Sequence, residues 1–155
     1  MKTAGLVLLV FAVLAVGTER CAFLFAERRA LKGALALIRY LKASLSDHAE
    51  VLPSVYAGFG GGVSPSFDRD LRENGLSEAV KKNSRLFRSD ARETMEGLAA
   101  GIGTGSRETR LSLLTDAENR MAETLKKNDA SFPGDVRVTA AWTFGAVGFL
   151  LIRFL

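Results

Sequence analysis

Few side chains in this sequence have the type and spacing that chemistry requires. The single histidine, His48, sits in the run Asp47-His48-Ala49-Glu50. One imidazole supports neither a multi-histidine metal site nor a catalytic triad with a matched base, so a solvated or capping role is expected. The lone Cys21 excludes an internal disulfide and a cysteine-based zinc site. Its place among Ala and Phe predicts a buried, unreactive thiol. The stretch Gly101-Ile102-Gly103-Thr104-Gly105-Ser106 has the glycine density of a phosphate loop. It lacks the lysine of such a loop and follows no strand, so it reads as a tight turn between helices. Asp68 and Asp70 fall in a charged pattern and read as a solvated face. These residues point away from catalysis, and neither a cofactor, a metal nor a small-molecule substrate is expected.

Charge narrows the partners. The net charge is +4 and the isoelectric point about 9.5, with basic and acidic residues mixed and no basic block of five or six. Nucleic-acid binding is therefore not expected. At 155 residues the chain has room for about one domain.

The elements that must position any functional surface are bounded by two apolar ends. Thr3 to Val16 and Val138 to Ile152 carry no charge. The first could be a secretory signal, with Lys2 as its basic flank and Ala15-Val16-Gly17 as a cleavage site, giving a mature start near Thr18. It could equally be an uncleaved membrane helix. About 15 residues rise only about 22 Å against a hydrocarbon core of about 30 Å. The apolar run Cys21-Ala22-Phe23-Leu24-Phe25-Ala26 can prolong it, and an anchor is the favoured reading. The second run has Trp142 as an interface residue, Arg153 able to reach the far headgroups, and Gly145 and Gly148 where another helix can approach. Arg20, Arg28, Arg29, Lys32 and Arg39 follow the first run, and Arg120, Lys126, Lys127 and Arg137 precede the second. The positive-inside rule therefore predicts a multi-pass membrane protein with two spans, the central domain cytoplasmic and both tips across the membrane.

The middle has helical periodicity throughout. Leu24, Leu31, Leu35, Ile38, Leu41 and Leu45 form one apolar stripe, with Arg28, Arg29, Lys32, Arg39 and Lys42 opposite. A short helix carries Val51, Leu52, Val55, Tyr56 and Phe59, ended by Gly60-Gly61-Gly62. Ser64-Pro65 reads as an N-cap and first helical residue, Asn74-Gly75 as a stop, and Leu76 to Val80 as a further short helix. Asp90 with Glu93 resembles a capping box for a helix bearing Met95, Leu98, Ala99 and Ile102. Ser106 caps a longer helix with its seam at Leu111, Leu114, Met121 and Leu125. Asn128 to Gly134, with Pro133, reads as a linker. The expected fold is all-α: an N-terminal anchor over 1–18, a cytoplasmic bundle of about six helices including a long hairpin over 19–135, and a C-terminal anchor over 136–155.

Several of these segments, in this order, resemble the stage III sporulation protein AB family over essentially the whole chain. They are the N-terminal apolar segment, Arg28-Arg29-Ala30-Leu31, Ile38-Arg39-Tyr40, Leu52-Pro53, Gly75-Leu76-Ser77-Glu78-Ala79-Val80-Lys81-Lys82 and Gly145-Ala146-Val147-Gly148-Phe149-Leu150-Leu151. The glycine triplet, Leu52-Pro53-Ser54 in place of a Pro-Leu pair, and Leu76 depart from the family pattern, marking a divergent member. The resemblance implies a helical domain similar to the cytoplasmic domains of inner-membrane platform proteins of type II secretion and type IV pilus systems. It also implies a non-enzymatic part in the channel complex between mother cell and forespore, on the mother-cell side. The implied partners are a secretion-type ATPase and other membrane components of that complex. A membrane-anchored helical sensor or signalling regulator is the alternative. Two patches are candidates for the partner or headgroup surface: Arg28, Arg29 and Lys32, and the face of Asp68, Arg69 and Arg72.

Overall fold

Stripes of apolar residues at spacings of three and four dominate the sequence, and the chain is correspondingly all-helical. The computed structural model describes residues 2–47 and 52–154, so His48 and Val51 lie outside the described residues. Five α-helices follow one another: α1 (Lys2–Asp47), α2 (Leu52–Gly58), α3 (Pro65–Lys82), α4 (Ser89–Gly101) and α5 (Arg107–Phe154), with a 3-10 turn at Ser84–Leu86. Among the described residues there is no strand. Two of the helices, α1 and α5, each contain a segment long and apolar enough to cross a membrane.

The chain divides into two compact units. One comprises Met1–Ala26 with Asp129–Leu155, and the other is Glu27–Asn128.

In the Glu27–Asn128 unit the predicted α1 stripe is buried: Leu31, Leu35, Ile38, Leu41 and Leu45 are all in the core. Ala30, Ala34 and Leu37 are buried as well, which widens the buried face well beyond one stripe. What this part of α1 leaves in solvent is the narrow line Arg29, Lys32, Ala36, Arg39, Ala43 and Ser46. The core is completed by Val55 and Tyr56 of α2, Phe67 and Leu71 of α3, Met95 and Leu98 of α4, and Leu114 and Met121 of α5. Phe67 and Phe87 meet edge to face, their centroids 5.9 Å apart.

Ser64 caps α3 as expected, its hydroxyl accepting from the Phe67 N–H at 3.1 Å, with Pro65 in the first turn. Eighteen helical residues would extend about 27 Å if straight. Yet the Ser66 hydroxyl donates to Asn83 Oδ1 at 2.8 Å, near the other end of the same element. The chain doubles back at Gly75, whose φ of 81° and ψ of 178° no helix accommodates. Asn83 Nδ2 also donates to the buried Asp70 at 2.8 Å, tying the two arms together. The Asn74-Gly75 stop is thus real: two helical arms meet at a kink at Gly75, and the second carries the short helix expected from Leu76 to Val80.

Two further expectations change. The start of α4 lies two residues earlier than the Asp90-based capping box requires. Ser89 is its first residue, Arg88 occupies the cap without a side-chain hydrogen bond, and Asp90 sits in the first turn, where its charge favours the helix dipole. Arg88 is held there by an ion pair with the buried Glu27. The linker expected over Asn128 to Gly134 is helical, because α5 continues through Pro133. Ser106 does cap α5, accepting from the Thr109 N–H at 3.3 Å. Gly105, with φ of 85°, makes the turn before it, and Leu113 of α5 packs over Gly101 of α4.

In the other unit the two terminal helix segments pack antiparallel. A methyl group on Gly17 would lie 2.7 Å from Thr143 Cγ2, and Phe25 meets Phe132 edge-on with centroids 5.0 Å apart. Rising residue numbers on α1 face falling numbers on α5. The outward faces are apolar: Leu8 is 71% exposed, Phe11 66%, Trp142 77% and Ile152 84%. Cys21 is half-buried, so the fully buried thiol expected for it is not found.

Candidate partner surface

The surface residues of the Glu27–Asn128 unit are positioned by a loop that only glycine can form. Gly61 and Gly62 have φ of 85° and 132°, conformations that side-chain-bearing residues rarely adopt. This loop lies directly on α1 at Gly33: a methyl group there would stand 2.5 Å from both Gly62 C and Val63 Cα. Asp68 closes it, its carboxylate accepting from the Gly62 N–H at 2.9 Å and the Val63 N–H at 3.4 Å. Arg72 closes it from the other side, donating from Nη2 to the Phe59 carbonyl at 3.3 Å.

The six candidate residues therefore separate by task. Asp68 and Arg72 are engaged in holding the glycine loop. Arg29, Lys32 and Arg69 are exposed and make no ion pair among the described residues, and Arg28 is half-buried. The loop also joins the two patches. Gly33, next to Lys32, touches Gly62, and Gly62 is bonded to Asp68, next to Arg69. The backbone beside each of the two patches thus meets at one braced loop.

No model of a known protein family, no curated protein and no solved structure matches the chain.

Several charged contacts carry no sequence signal. Glu118 of α5 accepts from Arg39 Nε and Lys42 Nζ of α1, both at 2.9 Å. The hydrogen bond from Lys42, then that from Arg39, holds the Glu118 carboxyl below its ordinary pKa. Arg39 thus belongs to the exposed α1 line but is partly neutralised, which leaves Arg29 and Lys32 as its cationic part. Arg107, at the start of α5, donates to the carbonyls of Leu45 (3.1 Å) and Ser46. It satisfies the end of α1, which has no basic residue in its own last turn. These partners are 61 to 79 residues apart, so periodicity could not reveal them. Tyr56 is buried in the core, and desolvation raises its pKa above the usual tyrosine value.

Among the described residues no group of three His, Cys, Asp or Glu could hold a metal. The surface presents cations and hydrogen-bonded carboxylates.

Proposed function

We propose that the chain is a non-enzymatic membrane platform, anchored by its two apolar ends and presenting a helical bundle to a cytoplasmic partner. The observation that carries this reading is the apolar exterior of the paired terminal segments. Water does not tolerate a contiguous surface of this kind, whereas hydrocarbon does. The antiparallel pairing supports a topology with both tips on one side and residues 27–128 on the other. The unbroken helix through Gly17 to Arg20 favours an anchor over a cleaved signal.

The more specific reading is a divergent stage III sporulation protein AB, part of a secretion-like complex between mother cell and forespore. A secretion-type ATPase would be its cytoplasmic partner. The order of the quoted segments supports it, as do the exposed cations Arg29, Lys32 and Arg69, which suit an acidic protein surface. Fractionation of a tagged full-length chain tests the anchor: it should stay with membranes through an alkaline carbonate wash. Recovery of the full-length chain in the soluble fraction would remove the platform reading.

A further inference from the structure

The paired terminal segments, considered as one unit, enclose a groove between them. Leu9, Val13 and Val16 of α1 and Trp142 and Ala146 of α5 give it apolar walls, and Arg20 stands at one end. Its volume is about 590 Å³. Two threonines also line it, but their hydroxyls are already used: Thr139 donates to the Asp135 carbonyl and Thr143 to the Thr139 carbonyl, both at 2.8 Å. The one charged group lining the groove is the Arg20 guanidinium, exposed and without an ion pair among the described residues. An apolar trough ending in one unpaired cation complements an acyl chain ending in an anion.

The dimensions agree. From Leu9 to Arg20 a helix rises about 16 Å. One leaflet of hydrocarbon is about 15 Å thick, half of the roughly 30 Å core. Glu19 and Arg20 stand where the uncharged run of α1 ends, the level at which headgroups begin. A second face of the same unit, along Ala141, Gly145 and Phe149, is equally apolar, and no cation is among the residues that line it.

We propose that this groove is a binding site for an anionic phospholipid, with an acyl chain along Leu9, Val13 and Val16 and the phosphate at Arg20. The site rests on the membrane placement proposed above. A zwitterionic lipid fits the trough but brings its own cation toward Arg20, so the site discriminates by headgroup charge.

The single tryptophan, Trp142, lines the groove and reports on it directly. The purified full-length chain is reconstituted in phosphatidylcholine vesicles containing acyl-brominated phosphatidylglycerol or acyl-brominated phosphatidylcholine over the same series of mole fractions. The brominated anionic lipid should quench Trp142 at a mole fraction about fivefold lower, the factor that one cation near an anionic surface supplies. Arg20→Gln should abolish that preference. Ala146→Leu, which fills the trough and keeps Arg20, should reduce it while helix content by circular dichroism is unchanged. Equal quenching by the two lipids overturns the site and leaves the membrane placement standing. A preference that survives Arg20→Gln, or is undiminished in Ala146→Leu, overturns it too. Quenching by neither lipid would overturn the membrane placement and the site with it.

Discussion

Replacing Gly33 by alanine tests the packing that builds the candidate surface. In an isolated helix this change is favourable by about 0.8–1 kcal/mol, because alanine restricts the unfolded chain and suits the helix. At Gly33 the new methyl would stand 2.5 Å from Gly62 C and from Val63 Cα. Both are backbone atoms, so no side-chain rotation relieves the overlap. The 60–63 loop must lift from α1, which exposes Val63 (1% exposed) and Phe59 (6%) and strains the Asp68 bonds to Gly62 and Val63. Overpacking costs about 1–3 kcal/mol. Uncovering two large apolar side chains adds about 1.5–3 kcal/mol for each one fully exposed. With the two side chains only partly uncovered, the clash still outweighs the propensity gain, and a net loss of roughly 2–4 kcal/mol is expected. Gly97→Ala is the matched control, since Gly97 lies within α4 with nothing within 4 Å of a new methyl. That variant should gain up to about 1 kcal/mol. Thermal unfolding of the full-length chain in detergent, followed by far-ultraviolet circular dichroism, reads both, at about 4–8 °C per kcal/mol for a unit of this size. A Gly33→Ala protein as stable as the parent would refute the packing of the glycine loop on α1.

Other outcomes follow from the same contacts. Because the Glu118 carboxyl has a lowered pKa in the fold, its contribution is present above the unfolded carboxylate pKa and is lost as pH falls through the folded value. Glu118→Gln should therefore flatten the acid limb of a stability–pH curve, and at neutral pH cost only about 0.5–1 kcal/mol, since Arg39 is well exposed. Tyr56 has the opposite sign: its raised pKa keeps stability below the unfolded tyrosine value and loses it as pH rises through the folded one. Tyr56→Phe should remove that alkaline loss, as measured by denaturation above about pH 10. Ser64→Ala should cost about 1 kcal/mol in the same melts through loss of the α3 cap. Met121→Ala, fully buried against the core, should cost about 2–5 kcal/mol.

The helices were legible where their signals are local. The α1 stripe from Leu24 to Leu45, the Ser64-Pro65 start, the Gly75 stop and the Ser106 cap each depend on residues within a turn or two of one another. Pro133 misled because proline removes an N–H and usually ends a helix, whereas α5 runs through it beside the Phe132–Phe25 contact. The surface residues Arg29, Lys32 and Arg69 could be picked out by charge. Their neighbourhood could not, since it depends on Gly33 meeting a loop about thirty residues further along. Asp68 looked like a free carboxylate because sequence does not show the Gly62 and Val63 N–H groups that point at it. The Glu118 and Arg107 contacts are equally non-local, and they decide which cations of α1 are neutralised and how its end is satisfied.

The central claim is that both apolar ends cross a membrane and leave residues 27–128 on one side. It is tested most directly by labelling intact bacterial cells that express the full-length chain with Cys21 replaced by alanine. Single cysteines are placed in a tag at either end or at the exposed Ser112, and probed with a membrane-impermeant maleimide. The account predicts that both tags react from outside and that Ser112→Cys reacts only after lysis. Labelling of Ser112→Cys in intact cells, or tags found on opposite sides, would contradict it.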